Sequence, residues 1–248
     1  MFDMAKAETE WAADARPFEG FTPQLFEFFE ALAANQNREW FQANKAAYER
    51  HVRAPMAAFV ESLALAFAAH DIPLTGSAER SLFRLNRDVR FSKDKRPYKT
   101  NVAALLTRDG TKQGKGVFYI SLGGHHDGVE RRGMVGAGFY APEPPDLAAL
   151  RSLISKAPER WLETETALAD SGLACARENA LARLPKGFEA YAGSPVADAL
   201  KLKGLHVWRE VPAERLYTPA LIDESVEFAR AILPLLEFGW SALARPVR

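Results

Sequence analysis

Cys175 is the only thiol in the 248 residues. One thiol excludes an internal disulfide framework and any zinc centre built from several thiolates. Histidine is sparse, at five, and no H-E-x-x-H or G-x-S-x-G run occurs, so the zinc-protease and nucleophile-elbow signatures are missing. Charge of one sign is missing too: 32 Lys and Arg balance 32 Asp and Glu. A neutral chain has no global attraction for nucleic acid or anionic lipid, and any anion-binding patch must be local. No uncharged apolar run approaches the ~18 residues of a membrane helix. The first residues carry Asp3, Lys6, Glu8 and Glu10 with no apolar core, which is not the pattern of a secretory leader. The expectation is a cytoplasmic protein with no membrane contact.

What is present is ordinary globular composition, 48% hydrophobic and 26% charged, enough to bury a core without staples. Residues 1–17 are polar and aperiodic and read as a mobile tail; residues 18–248 read as one domain. Thr22-Pro23 starts a helix carrying Leu25, Phe28, Phe29 and Leu32 at helical spacing. Asn37 reads as the next N-cap, with Glu39 in the first turn and Trp40 and Phe41 in an apolar stripe expected to be buried. Pro55 starts a third helix with Met56, Phe59, Val60, Leu63 and Phe67.

The pattern then changes. Ser81–Leu85, Val102–Leu106, Val117–Leu122, Met134–Tyr140 and Leu205–Val211 are short runs rich in strand formers. Asp109-Gly110 marks a turn between two of them. Strands following one another without helical connectors pair antiparallel. Helices return after Pro145, with Asp146 as a cap, at Pro158, and at Thr218-Pro219, the last with a kink expected at Pro234. The predicted class is α+β: a single domain with a mainly antiparallel sheet of about five strands, flanked by N-terminal and C-terminal helices.

Several motifs fail on inspection. The run from Gly110 to Lys115 is one residue short of a phosphate-binding P-loop and leads into a strand. Gly133, Gly136 and Gly138 are not in dinucleotide-fingerprint order, and read as a bulge or close strand packing. His125-His126-Asp127 offers three adjacent possible ligands whose side chains point apart in a loop, so it reads as a solvated turn. No metal or cofactor is expected. Cys175 reads as an inert, half-buried thiol, and Trp40, Trp161 and Trp208 as core.

Residues 84–99 stand out. Arg84, Arg87, Arg90, Lys93, Lys95, Arg96 and Lys99 face only Asp88 and Asp94, a local charge of +5 in a neutral chain. Such crowding costs self-repulsion unless counter-charges or a bound anion relieve it. Guanidinium groups match phosphate and carboxylate oxygens bidentately, and Phe91 and Tyr98 offer an apolar surface beside them. The competing structural reading has Asp88 and Asp94 pair with their neighbours in a salt-bridge framework.

The stretch from Phe83 to Thr100 resembles the signature of a family of conserved hypothetical proteins, domain of unknown function 2461. Asn37-Arg38-Glu39-Trp40-Phe41 is similar to that family's early helix motif, and Gly138-Phe139-Tyr140 and Leu184-Pro185-Lys186-Gly187-Phe188 follow in order. The likeness covers roughly residues 18 to 240. It implies a single intact domain and carries over no reaction, cofactor or catalytic residue.

Three functions compete on the residues. The first is a binding protein for a phosphate- or carboxylate-bearing small molecule, contacted by Arg84, Arg87, Arg90, Lys95, Tyr98 and Lys99. The second is an enzyme in the same cleft, with Asp88 or Asp94 as general base. The third is a module whose basic loop docks an acidic partner or nucleic acid, the latter disfavoured by neutrality. A carboxylate without a cationic partner, facing a pocket, would favour the enzyme. Ligand and oligomeric state are not legible in these residues.

Overall fold

A computed structural model describes residues 17–124 and 131–244. The expected tail, apart from residue 17, and the His125-His126-Asp127 turn lie outside the described residues.

Helix α1 (Pro23–Ala34) begins at Thr22 and buries Leu25, Phe26, Phe28, Phe29 and Leu32. Asn37 caps α2 (Arg38–Ala43), accepting from the Trp40 backbone N–H. The chain continues through α3 (Lys45–Tyr48) and a π-helical turn (Glu49–Arg53) into α4 (Ala54–Ala69). Pro55 sits in the first turn of α4, as expected of a proline at a helix start, although the chain enters that helix directly from the π-helical turn. The stretch Lys45–Ala69 is long and apolar enough to cross a membrane by length and composition alone, and Val52, Met56, Phe59, Val60, Leu63 and Phe67 along it are buried in the core.

Four strands follow the expected runs closely: β1 (Asn101–Thr107), β2 (Val117–Gly123), β3 (Arg132–Phe139) and β4 (Leu205–Pro212). They form an open antiparallel sheet in the order β1-β2-β3-β4. The fifth run, Ser81–Leu85, is not a strand. Ser77 caps a short helix, α5 (Ala78–Ser81), and the Glu61 carboxylate accepts from the Ala78 N–H at 2.7 Å. What remains is one bridge, Leu82 to Ala104.

Helices α6 (Pro144–Lys156) and α7 (Pro158–Asp170) follow β3; α8 (Ala197–Leu200) precedes β4, and α9 (Ala213–Leu216) and α10 (Leu221–Leu243) follow it. Glu143, not Asp146, is the residue before α6, because Pro144 and Pro145 already occupy its first turn. Thr218-Pro219 forms a turn leading into α10, and that helix runs on across Pro234.

The helices cover one face of the sheet. Phe118 and Ile120 of β2 and Val135 and Ala137 of β3 are buried on that side. Phe118 meets Phe67 of α4 at 5.5 Å and Phe228 of α10 at 6.1 Å, both edge to face. The buried apolar side chains form one contiguous cluster from Phe18 to Phe238. Trp161 lies within it, fully buried. Trp40 and Phe41 are only half-buried, resting on Phe28 and Tyr98 at the core's margin, because α2 is too short to bury a whole face. Trp208 is not core: it is 45% exposed on the far side of the sheet.

Candidate functional site

The basic segment is an irregular hairpin. Arg87 N–H donates to the Pro97 carbonyl and Lys99 N–H to the Leu85 carbonyl, both at 2.9 Å, and Asn86 bridges Tyr98. These bonds fix residues 85–87 against 97–99 and leave residues 88–96 as the connecting loop. Tyr98 turns inward: it is 6% exposed, its ring packs at a tilt on Phe41 at 4.8 Å, and its backbone N–H donates to the Gln36 side chain.

Much of the charge is neutralised within the loop. The Asp94 carboxylate accepts from the guanidinium of Arg87 and from that of Arg96, the latter at 2.7–3.0 Å. Those donors hold its pKa far below the ordinary carboxylate value, Arg96 contributing most. Asp88 accepts from the Arg90 guanidinium at 2.7 and 3.0 Å in an exposed pair and is likewise lowered. Lys95 donates to the Val89 carbonyl at 3.0 Å. Both aspartates are thus tied to arginine, which opposes a general-base role for either.

Lys99 is arranged differently. It is half-buried, and among the described residues no carboxylate pairs with it. Its ammonium lies over the Phe83 ring at 5.5 Å, and that of Lys112 lies over the same ring at 5.6 Å. Burial, then Arg84, Arg87 and Lys112, lower the Lys99 pKa. Lys112 comes from the β1–β2 loop, where the Asp109 carboxylate accepts from the Thr107 hydroxyl and from the Thr111 N–H and hydroxyl. Gly110 completes that turn at φ +67°. So a turn visible in the sequence positions a lysine beyond the expected basic segment.

Phe83 is also one wall of a cleft of about 1130 Å³ over the outer face of the sheet. Alternation along the strands builds it: Val117, Tyr119 and Ser121 of β2 point away from the helices, as do His206, Trp208 and Glu210 of β4. Register then sets the rows. Leu105, Tyr119, Gly136 and Trp208 are successive partners across the sheet; Thr107, Val117, Gly138 and His206 form the adjacent row. Between β2 and β4, β3 contributes Gly136 and Gly138, so the floor carries no side chain at either row. Gly138 has φ +120°, and a Cβ there would lie 2.3 Å from the Leu205 carbonyl oxygen, so close strand packing requires it.

The cleft's polar groups are mostly engaged. Trp208 Nε1 donates to Glu178 at 3.0 Å, Lys115 pairs with Asp146 at 2.6 Å, and Arg132 with Glu210 at 2.5 Å. Burial pushes the His206 pKa down, against an opposing pull from Glu178, which favours the neutral imidazole. Burial pushes the Tyr119 phenol up. Among the described residues no group of three or more His, Cys, Asp or Glu side chains could hold a metal ion.

Of the residues expected at a site, Lys99 adjoins the cleft through the Phe83 ring that it shares with Lys112, and Arg84 and Arg87 are near enough to act on its charge. Arg90, Lys95 and the loop aspartates turn to one another, and Tyr98 turns inward. Sequence reasoning missed Phe83, Lys112, Tyr119, His206 and Trp208. The period-2 alternation of β2 and β4 was the available signal, but alternation does not say which face a sheet leaves uncovered.

The chain matches no curated protein and no solved structure. A family model described as conserved hypothetical protein (DUF2461) matches residues 24–238, spanning both the hairpin and the cleft, and the chain belongs to that family.

Proposed function

We propose that the protein binds a phosphate- or carboxylate-bearing small molecule in the cleft on the outer face of the sheet, with the anionic group at the corner formed by Lys99, Lys112 and Arg84. One observation carries this reading: Lys99 and Lys112 share the Phe83 ring, Arg84 acts on Lys99, and among the described residues no carboxylate is bonded to any of the three. Uncompensated cations repel one another, and an anion relieves that cost. The rest of the basic segment supports the corner structurally, since Asp94 clamps Arg87 and Arg96 and thereby closes the loop.

The test is a thermal-shift titration with inorganic phosphate and citrate. Wild type should be stabilised, and less so as salt rises. Lys99→Gln and Lys112→Gln should lose most of that shift. A wild type indifferent to both anions would overturn the reading.

The same cleft would suit an enzyme acting on such a molecule. Its base would then be His206 rather than Asp88 or Asp94, whose carboxylates are held by arginine. A docking role rests on another observation: Phe91, in the connecting loop, is 96% exposed beside Arg90. Phe91→Ser would then abolish capture of an acidic partner while leaving the phosphate-induced shift intact.

A further inference from the structure

We infer that the anion bound in this cleft is a phosphate attached to a planar heteroaromatic ring, which stands in the gap between Tyr119 and Trp208 above Gly136. The inference rests on the proposed anion corner and deepens it.

The gap is a product of register. Tyr119 pairs with Gly136, and Gly136 with Trp208. Neighbouring strands are ~4.8 Å apart, so the two aromatic side chains spring from backbones roughly 10 Å apart. A ring between two others needs two contacts of about 3.5–4.0 Å, or about 7–8 Å between the flanking planes. A single ring is the occupant whose thickness matches this backbone spacing.

Gly136 is what keeps the gap open. Unlike Gly138 its φ is not in the left-handed region, and the nearest atoms a Cβ would meet are the Val207 carbonyl oxygen at 3.2 Å, Trp208 Cβ at 3.4 Å and Trp208 Cα at 3.9 Å. The backbone would accept a small side chain with a slight adjustment, so the bare floor is a matter of shape rather than of dihedral need. No ring atom of Tyr119 or Trp208 is among the closest neighbours of that position.

Both walls are braced from behind. Tyr119 meets Phe83 at 6.2 Å, and the Trp208 indole N–H is tied to Glu178 at 3.0 Å. An exposed aromatic held in one orientation is a prepared stacking surface. In the row on one side of the gap His206 brings an imidazole to the cleft lining; on the other side the Ser121 hydroxyl is buried and accepts from Asn101. The anion corner adjoins the same wall, because the Phe83 ring that meets Tyr119 also carries Lys99 and Lys112. Three cations favour a phosphate over a singly charged carboxylate.

Isothermal titration calorimetry decides it, with AMP, GMP, CMP, UMP and flavin mononucleotide as ring-bearing probes and ribose 5-phosphate and inorganic phosphate as ringless ones. At least one ring-bearing phosphate should bind wild type about tenfold or more tighter than ribose 5-phosphate. Trp208→Ala should reduce that ligand to the ribose 5-phosphate level and leave inorganic phosphate unchanged; Lys99→Gln should weaken all of them. Tyr119→Leu removes the other wall and gives the same readout should Trp208→Ala fold poorly. If ringed and ringless phosphates bind alike, or neither wall matters, the ring slot is wrong and the anion corner stands. If no phosphate compound binds wild type, both fall.

Discussion

The ammonium groups of Lys99 and Lys112 lie over one Phe83 ring, at 5.5 and 5.6 Å, although one comes from the basic hairpin and the other from the β1–β2 loop. The ring's negative face offsets part of their repulsion. Burial first, then Arg84, Arg87 and Lys112, lower the Lys99 pKa.

Neutralising Lys99 should therefore leave the melting temperature unchanged or raise it, the reverse of what a salt-bridge residue does. The pH dependence has a defined sign. The folded chain releases the Lys99 proton at a lower pH than the unfolded chain, whose value is about 10.5. Between the two the unfolded state holds more protons, so this residue's contribution to stability rises with pH across that window. Chemical denaturation of wild type and Lys99→Gln from pH 7 upward should show wild type gaining on the variant.

Asp94 should behave in the opposite way. Its carboxylate is lowered by Arg96 and Arg87, so its stabilisation is present above the ordinary value near 3.8 and is lost as pH falls through the depressed folded one. Asp94→Asn should melt lower than wild type at pH 7. The gap should narrow steadily in scans taken below pH 4.

Three tryptophans should rank by burial. Trp161→Ala, in the closed core, should cost about 3–5 kcal/mol. Trp40→Ala, half-buried against Phe28, should cost about 1–3 kcal/mol. Trp208→Ala should cost under about 1 kcal/mol, since the indole stands on an uncovered face. Urea unfolding of the three variants checks the order, and a large cost at Trp208 would assign it a structural duty.

The two cleft glycines should separate. Gly138→Ala combines φ +120° with a backbone collision and should cost about 1–3 kcal/mol or more. Gly136→Ala should cost under about 1 kcal/mol while weakening ligand binding, because it fills floor space and strains little. Melting curves and calorimetry on the pair give both quantities.

Cys175 should resist alkylation. Burial pushes its thiol up to about 12, so almost no thiolate exists at pH 8. Iodoacetamide should label it only in denaturant, and labelling of the native protein at the rate of a free thiol would contradict its packing.

The local grammar of the chain determined much of the fold. Asn37 caps a helix because its side chain reaches the Trp40 N–H; the run at 102–106 became a strand buried along its length, and those at 117–122 and 205–211 became strands whose alternate residues face the core. Where a nearby competitor intervened, the reading failed: Ser77 and Glu61 drew residues 78–81 into a helical turn and left the fifth strand as one bridge. The density of cations at 84–99 was also plain in the sequence, but their pairing was not. Arg87 finds Asp94 only because the hairpin folds back, and Lys112 joins Lys99 only because β1 turns at Asp109-Gly110 to meet β2. Whether Trp208 is core or cleft depends on which face the helices cover. That choice is made by packing among segments far apart in the chain, which period-2 patterning within one strand does not encode.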